Sequence, residues 1–126
     1  MKITLDSLAA AVDFIERHRA DKMSFKTAYK FNKIANYHKD DILFFREKYG
    51  ELLREYCEKN EKGEPVINGQ NVQIQPDKMA EFSKKAAEIL SVEVEASDVR
   101  FSVEELEGLE ISMDELRPLM NFIKED

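Results

Sequence analysis

Apolar residues return every three or four positions through most of the chain, a spacing that predicts helices. Leu5, Leu8, Val12 and Ile15 share one face of a helix running from about Asp6 to His18 or Ala20, within an N-terminal unit 1–22. Ala9, Ala10 and Ala11 add helix propensity. The stretch from Arg17 to Lys22 is polar, and Ser24 suits the cap of a new helix. From Ser24 to Glu58 the pattern is more sustained. With Ala28 at heptad position a, positions a and d read Ser24, Ala28, Phe31, Ala35, His38, Ile42, Phe45, Tyr49, Leu52 and Tyr56. The f positions Lys26, Lys33, Asp40, Glu47 and Arg54 are all charged. This register predicts one long coiled-coil-like helix over 24–58, about 52 Å in length. Gly50 falls inside it, at a cost of about 1 kcal/mol relative to Ala.

The helical pattern stops at Asn60. Gly63, Pro65 and the pair Asn68-Gly69 are turn formers, and β-branched runs flank the pair (Val66-Ile67 and Val72-Gln73-Ile74). Asn-Gly between such runs predicts a β-hairpin over 64–75, with a two-residue or a four-residue loop. Pro76 and Asp77 open a returning helix over 76–91, whose apolar face is Met79, Phe82, Ala86 and Ile89. The segment 92–126 begins with a strand-like alternation, Val92 to Ala96, and a second short candidate at Val99–Phe101. Two capping boxes follow, Ser102 with Glu105 and Ser112 with Glu115. Gly108 suits the stop of the first short helix, and Pro118 limits or restarts the second. The fold class expected is mainly α with a small β-hairpin, in a single domain spanning 1–126.

Length arithmetic sets the expected packing. The N-terminal and returning helices are each about half as long as the 24–58 rod, so together they match it. Ile42-Leu43-Phe44-Phe45 puts apolar residues on every side of one helical turn, which predicts that this turn is surrounded. Leu106, Leu109, Leu116, Leu119 and Phe122 are the expected cover. A closed monomer and an obligate oligomer both satisfy this arithmetic.

Charge narrows the range of functions. The chain of 126 residues carries a net charge of −7, with 36% charged residues. The excess is uneven: 11 acidic and 3 basic residues from Val92 onward leave 15 acidic and 16 basic residues before it. An acidic C-terminal third repels phosphate backbones, so general nucleic-acid binding is disfavoured. One stripe runs the other way: Arg19, Lys22, Lys26, Lys30 and Lys33, with Phe25, Tyr29 and Tyr37 nearby. It reads either as a solvated outer face or as a contact for an acidic partner or nucleic acid. No apolar run approaches the roughly 18 residues of a membrane span. Asp6 in the opening residues argues against a signal peptide. With one cysteine, Cys57, there is no internal disulfide, and the expected location is the cytoplasm.

No residue set converges on a reaction. His18 and His38 are the only histidines, and neither has a metal-binding companion at helical spacing. His38 reads as a buried, hydrogen-bonded residue and Cys57 as a buried thiol. Asp40-Asp41 and Glu104-Glu105 are adjacent pairs that diverge by about 100° on a helix, unlike the convergent carboxylates of hydrolases. The expectation is therefore no catalytic residue, no metal, no cofactor and no small-molecule substrate. Tyr37 and Phe44 on the rod, with Val66, Ile67, Val72 and Ile74 in the hairpin, are the candidate contacts for a protein partner or self-association.

Two resemblances bear on this expectation. The order of long helix, Asn-Gly hairpin and returning helix over residues 24–91 resembles prefoldin subunits in layout, which implies a holdase chaperone with open apolar tips. The run Val99-Arg100-Phe101-Ser102-Val103-Glu104-Glu105-Leu106-Glu107-Gly108-Leu109, with Leu116-Arg117-Pro118-Leu119-Met120, is similar to small uncharacterised proteins of phages and prophages of Gram-positive bacteria. Phe44-Phe45-Arg46-Glu47-Lys48-Tyr49 and Gly63-Glu64-Pro65-Val66 fit the same family. That resemblance implies a phage or prophage origin and no catalytic activity. The function expected is a non-enzymatic interaction or assembly protein. A prefoldin-like holdase and a weak nucleic-acid binder using the Arg19–Lys33 stripe are the alternatives.

Overall fold

A computed structural model describes residues 1–69 and 71–124. The first half holds β1 (Lys2–Thr4), α1 (Leu5–Arg17), α2 (Phe25–Tyr37) and α3 (Lys39–Tyr56). The second holds β2 (Ile67–Asn68), β3 (Asn71–Val72), α4 (Met79–Leu90), β4 (Glu93–Glu95), α5 (Val103–Leu106) and α6 (Met113–Leu119). Among the described residues the fold is mainly helical with a small β-hairpin, as its pattern predicts, and β1 and β4 form a second small antiparallel sheet.

Thr4 caps α1, its Oγ1 accepting from the Ser7 N–H at 3.3 Å. Leu5, Leu8, Ala11, Val12 and Phe14 are buried along it. Ahead of the helix, β1 pairs with β4, Ile3 lying opposite Val94. The predicted Val92–Ala96 strand thus finds its partner at the start of the chain. Of the Val99–Phe101 candidate only one parallel bridge forms, Phe101 with Ile123.

The rod expected over 24–58 is two helices. His38 ends α2 and precedes α3, with φ −96° and ψ 11°, outside the α-helical well. The Ile42 N–H returns to the His38 carbonyl at 3.0 Å, the first bond of the new helix. Side-chain burial does not mark the break. Along α2 the buried residues are Thr27, Phe31 and Ile34, heptad positions g and d. Along α3 they are Ile42, Leu52 and Tyr56, positions a and d. At 100° per residue these six and His38 fall within one arc of about 80°, the stripe of a single straight helix, so the break lies in the backbone at His38, which its bonds to Ser97 and Asp41 hold in place. The apolar repeat runs on through the break, and no coiled-coil seam accompanies it.

His38 itself is fully buried. The Ser97 N–H donates to Nε2 at 3.1 Å, so the ring proton sits on Nδ1, which donates to Asp41 at 3.1 Å. The side chain therefore ties the break to the chain after β4. The turn that follows is less enclosed than its four apolar residues predict. Ile42 is buried and Phe45 partly so, but Leu43 is 53% and Phe44 49% exposed.

The hairpin adopts the two-residue register, Asn68 pairing with Asn71 and Ile67 with Val72. Gly69 takes φ +67° in the turn, a conformation that side chains disfavour. A third extended segment, Cys57–Lys59, joins it. The Glu58 N–H donates to Gln73, the Gln73 N–H to Val66 and the Val66 N–H to Glu58, each at 2.8 Å, so the three backbones close a ring. From Gln75 the chain passes through one 3-10 turn (Pro76–Lys78) into α4, which returns along the second half of α3.

The buried residues form two clusters joined by α3. The main core gathers α1, α2, Ile42 and the C-terminal residues Phe101, Leu106, Leu119 and Phe122. The distal cluster consists of Leu52, Tyr56, Ile74 and Ala86, with Tyr49, Leu53, Phe82 and Ile89 packed on it. Both predicted capping boxes are formed, and Gly108, at φ +93°, follows the end of α5. Pro118 lies inside α6 and does not end it.

Candidate interaction surface

Helix α2 has two unlike sides. Its 13 residues, Phe-Lys-Thr-Ala-Tyr-Lys-Phe-Asn-Lys-Ile-Ala-Asn-Tyr, include no carboxylate in a chain of net charge −7. Ser24 caps it, Oγ accepting from the Thr27 N–H at 3.2 Å. On the inner side the Thr27 hydroxyl donates to the Glu105 carbonyl at 2.9 Å. The Lys30 ammonium donates to the Arg100 carbonyl at 2.7 Å and lies 2.7 and 2.8 Å from the two Glu105 carboxylate oxygens. It also sits 5.6 Å from the Phe101 ring centre, within cation–π range. Lys30 first, and then the Ser102 N–H, hold the Glu105 carboxyl down at about 2. One member of the basic stripe is therefore turned inward, where it docks α5 onto α2.

The outer side is open. At 3.6 residues per turn, Asn32, Phe25, Asn36, Tyr29, Lys33, Lys26 and Tyr37 occupy an arc of about 140°. Phe25 is 84% and Tyr29 54% exposed, and their rings stack 6.0 Å apart at 20°. The Lys33 ammonium lies 5.9 Å above the Tyr29 ring. Arg19, Lys22, Lys26 and Lys33 are exposed and make no ion pair among the described residues. A shallow cleft of about 360 Å³ borders this face, between the end of α1 and α2, lined by Ile15, Met23, Ala28, Phe31 and Ala35.

The six candidate contacts separate into groups. Tyr37 is exposed at the end of α2, its ring edge-on to His38 at 4.8 Å. Phe44 is exposed on α3 with the Lys48 ammonium 6.0 Å from its ring. Ile67, 65% exposed, stands at the hairpin, and Val66 and Val72 beside it are half-buried. Ile74 is 6% exposed and belongs to the distal cluster, so it presents no surface to a partner. Its backbone bridges to Cys57, and its side chain is buried in that cluster with Leu52, Tyr56 and Ala86. The structure does not bring Tyr37 and Phe44 together with the hairpin residues. The holdase alternative needs exposed apolar residues at the helix tips near Tyr56, Val66 and Ile74; Tyr56 and Ile74 are buried, Val66 is half-buried and Ile67 is exposed.

Phe25 and Tyr29, the most prominent pair on the outer side, lie beside the stripe in sequence and are not among the six expected contacts. The absence of any Asp or Glu between Lys22 and Lys39 is the signal that picks them out.

The remaining titratable residues serve as ties. His18 closes α1, with Nε2 2.6 Å from Glu115 and Nδ1 2.6 Å from Asp21. Those two carboxylates, Glu115 first, hold its pKa above the ordinary 6.5, and the His18 bond in turn holds the Glu115 carboxyl down. Cys57 is buried, its thiol directed at the Arg54 carbonyl. Among the described residues no three His, Cys, Asp or Glu side chains converge to hold a metal ion, and no helix is long and apolar enough to cross a membrane. Comparison with protein-family models, curated proteins and solved structures finds no match.

Proposed function

We propose that the chain is a non-enzymatic protein-interaction or assembly protein that meets its partner through the outward side of α2. One observation carries this reading: two exposed, stacked aromatic rings bordered by lysines that make no ion pair among the described residues, on a helix whose other side buries Thr27, Phe31 and Ile34. Exposed Phe and Tyr lose apolar hydration when covered, and tyrosine and phenylalanine are enriched at protein interfaces. A phage or prophage origin, which the resemblance of Val99–Leu109 and Leu116–Met120 implies, is part of this proposal. The test is a photoreactive phenylalanine at position 29, with position 47 on α3 as control. A discrete protein adduct from position 29 alone is expected, and adducts from neither position would end the reading.

A second reading, weak binding of single-stranded nucleic acid, draws on the same stack, since bases pile on aromatic faces beside cations. A gel shift with a single-stranded oligonucleotide that weakens steeply with salt is its minimum support.

A further inference from the structure

The two sides of α2 repeat one device. On the inner side a lysine lies over an aromatic ring and receives a carboxylate from a short capped helix: Lys30, Phe101 and Glu105. On the outer side Lys33 lies over Tyr29, with Lys26 seven residues before it, and among the described residues no carboxylate answers either one. We propose that the outer side of α2 is a receptor for an acidic, partly apolar helical segment of a partner protein. This rests on the interaction reading above and adds the chemistry of the partner.

The spacing specifies that segment. Lys26 and Lys33 are two helical turns apart, about 10.5 Å along the axis. A partner helix with carboxylates seven residues apart reaches both. Apolar residues between them cover Phe25 and Tyr29 and reach the cleft beside Ala28 and Met23, where Arg19 stands at the rim. Each exposed ion pair by itself contributes little, in the region of 0.2–1 kcal/mol. Affinity comes from the covered rings, and the lysines supply selectivity for acid and a faster encounter. A nucleic-acid strand fits less well. The helix is about 20 Å long, and a strand running past its ends meets a surface whose net charge is −7.

Fluorescence anisotropy with three labelled probes tests this on the full chain. The first is a synthetic leucine-rich helical peptide with glutamates seven residues apart, the second its Glu→Gln counterpart, and the third a single-stranded oligothymidine. The acidic peptide is expected to bind, at least about tenfold more tightly than the glutamine peptide or the oligonucleotide, with affinity falling as salt rises. Lys26→Glu with Lys33→Glu should lose about tenfold, and Phe25→Ala with Tyr29→Ala at least as much. All four residues are exposed, so thermal melting should not move. Equal binding of the two peptides, or tighter binding of oligothymidine, overturns the proposal. The photocrosslink separates the two claims: an adduct at position 29 whose partner segment lacks acidic residues sinks this inference and leaves the interaction reading standing.

Discussion

At the start of α3, Ile42 joins a core to which Phe14, Phe31, Phe101 and Phe122 come from four separate parts of the chain. At its end, Leu52 and Tyr56 join a cluster supplied by the hairpin and α4, the segments that come next in sequence. The first closes only when residues 101–122 have returned to α1 and α2. The second is nearly complete once the chain reaches Leu90. Three of the main-core phenylalanines, Phe14, Phe101 and Phe122, are fully buried, while Phe82 in the distal cluster is only half-buried. Local contacts form readily but bury little; distant contacts bury more and depend on each other. The distal cluster is therefore the part expected to open on its own below the global unfolding free energy.

Substitutions sharpen this contrast. Phe101→Ala removes a fully buried ring 4.6 Å from Phe31 and should cost about 3–5 kcal/mol in urea unfolding, lowering every probe together. His38→Leu strands the buried Ser97 N–H and should cost about 1–3 kcal/mol. Phe82→Ala should cost about 1–2 kcal/mol, because half its area is already wet. Its hydrogen-exchange signature should be confined to α4 and the second half of α3; acceleration spreading equally through α1 would refute the division into two clusters. Ser112→Ala should cost about 1 kcal/mol, by releasing the Glu115 N–H that its hydroxyl accepts at 3.1 Å.

The smallest expected effect is on pH dependence, and it too separates the clusters. Glu105 is held at about 2, below its usual 4.5, so its contribution is complete above 4.5 and is lost as pH falls toward 2. His18 is held above 6.5, so its contribution is complete below 6.5 and is lost as pH rises through the raised value. Both act on the docking of the C-terminal segment. Lys30→Met should flatten the acid limb of the stability profile and His18→Asn the neutral-to-alkaline limb. Urea midpoints across the pH range check both, and an unchanged profile in either variant would count against its tie.

Much of this architecture was legible in the residues. Thr4 aside, the caps were: Ser24, Ser102 and Ser112 carry hydroxyls at the positions where helices begin, and the two Ser-to-Glu spacings are local chemistry. Asn68-Gly69 marked the hairpin but not its register: Asn68 pairs with Asn71, and Gly69 opens the loop. The break at His38 was hidden because the buried positions of both halves keep the phase of one straight stripe, so apolar periodicity runs through it unmarked. Quieter signals were present: Asn36, Tyr37 and His38 are mediocre helix formers, and Asp40-Asp41 suits a helix start. The pairing of β1 with β4 joins residues about ninety positions apart, and three-residue strands carry too little pattern to announce a partner. At the candidate surface the stripe was visible, yet the inward turn of Lys30 follows from Glu105 arriving by tertiary packing.

The backbone ring of Glu58, Val66 and Gln73 bears on how other chains can approach the hairpin. At that level each of the three segments has a neighbour on both flanks, so no bare strand edge is left there to template the addition of a foreign strand. Beyond that level, among the described residues, only the two-residue strands β2 and β3 offer outer edges, so the length of backbone open to a foreign strand is short and recognition at this end falls mainly to side chains such as Ile67.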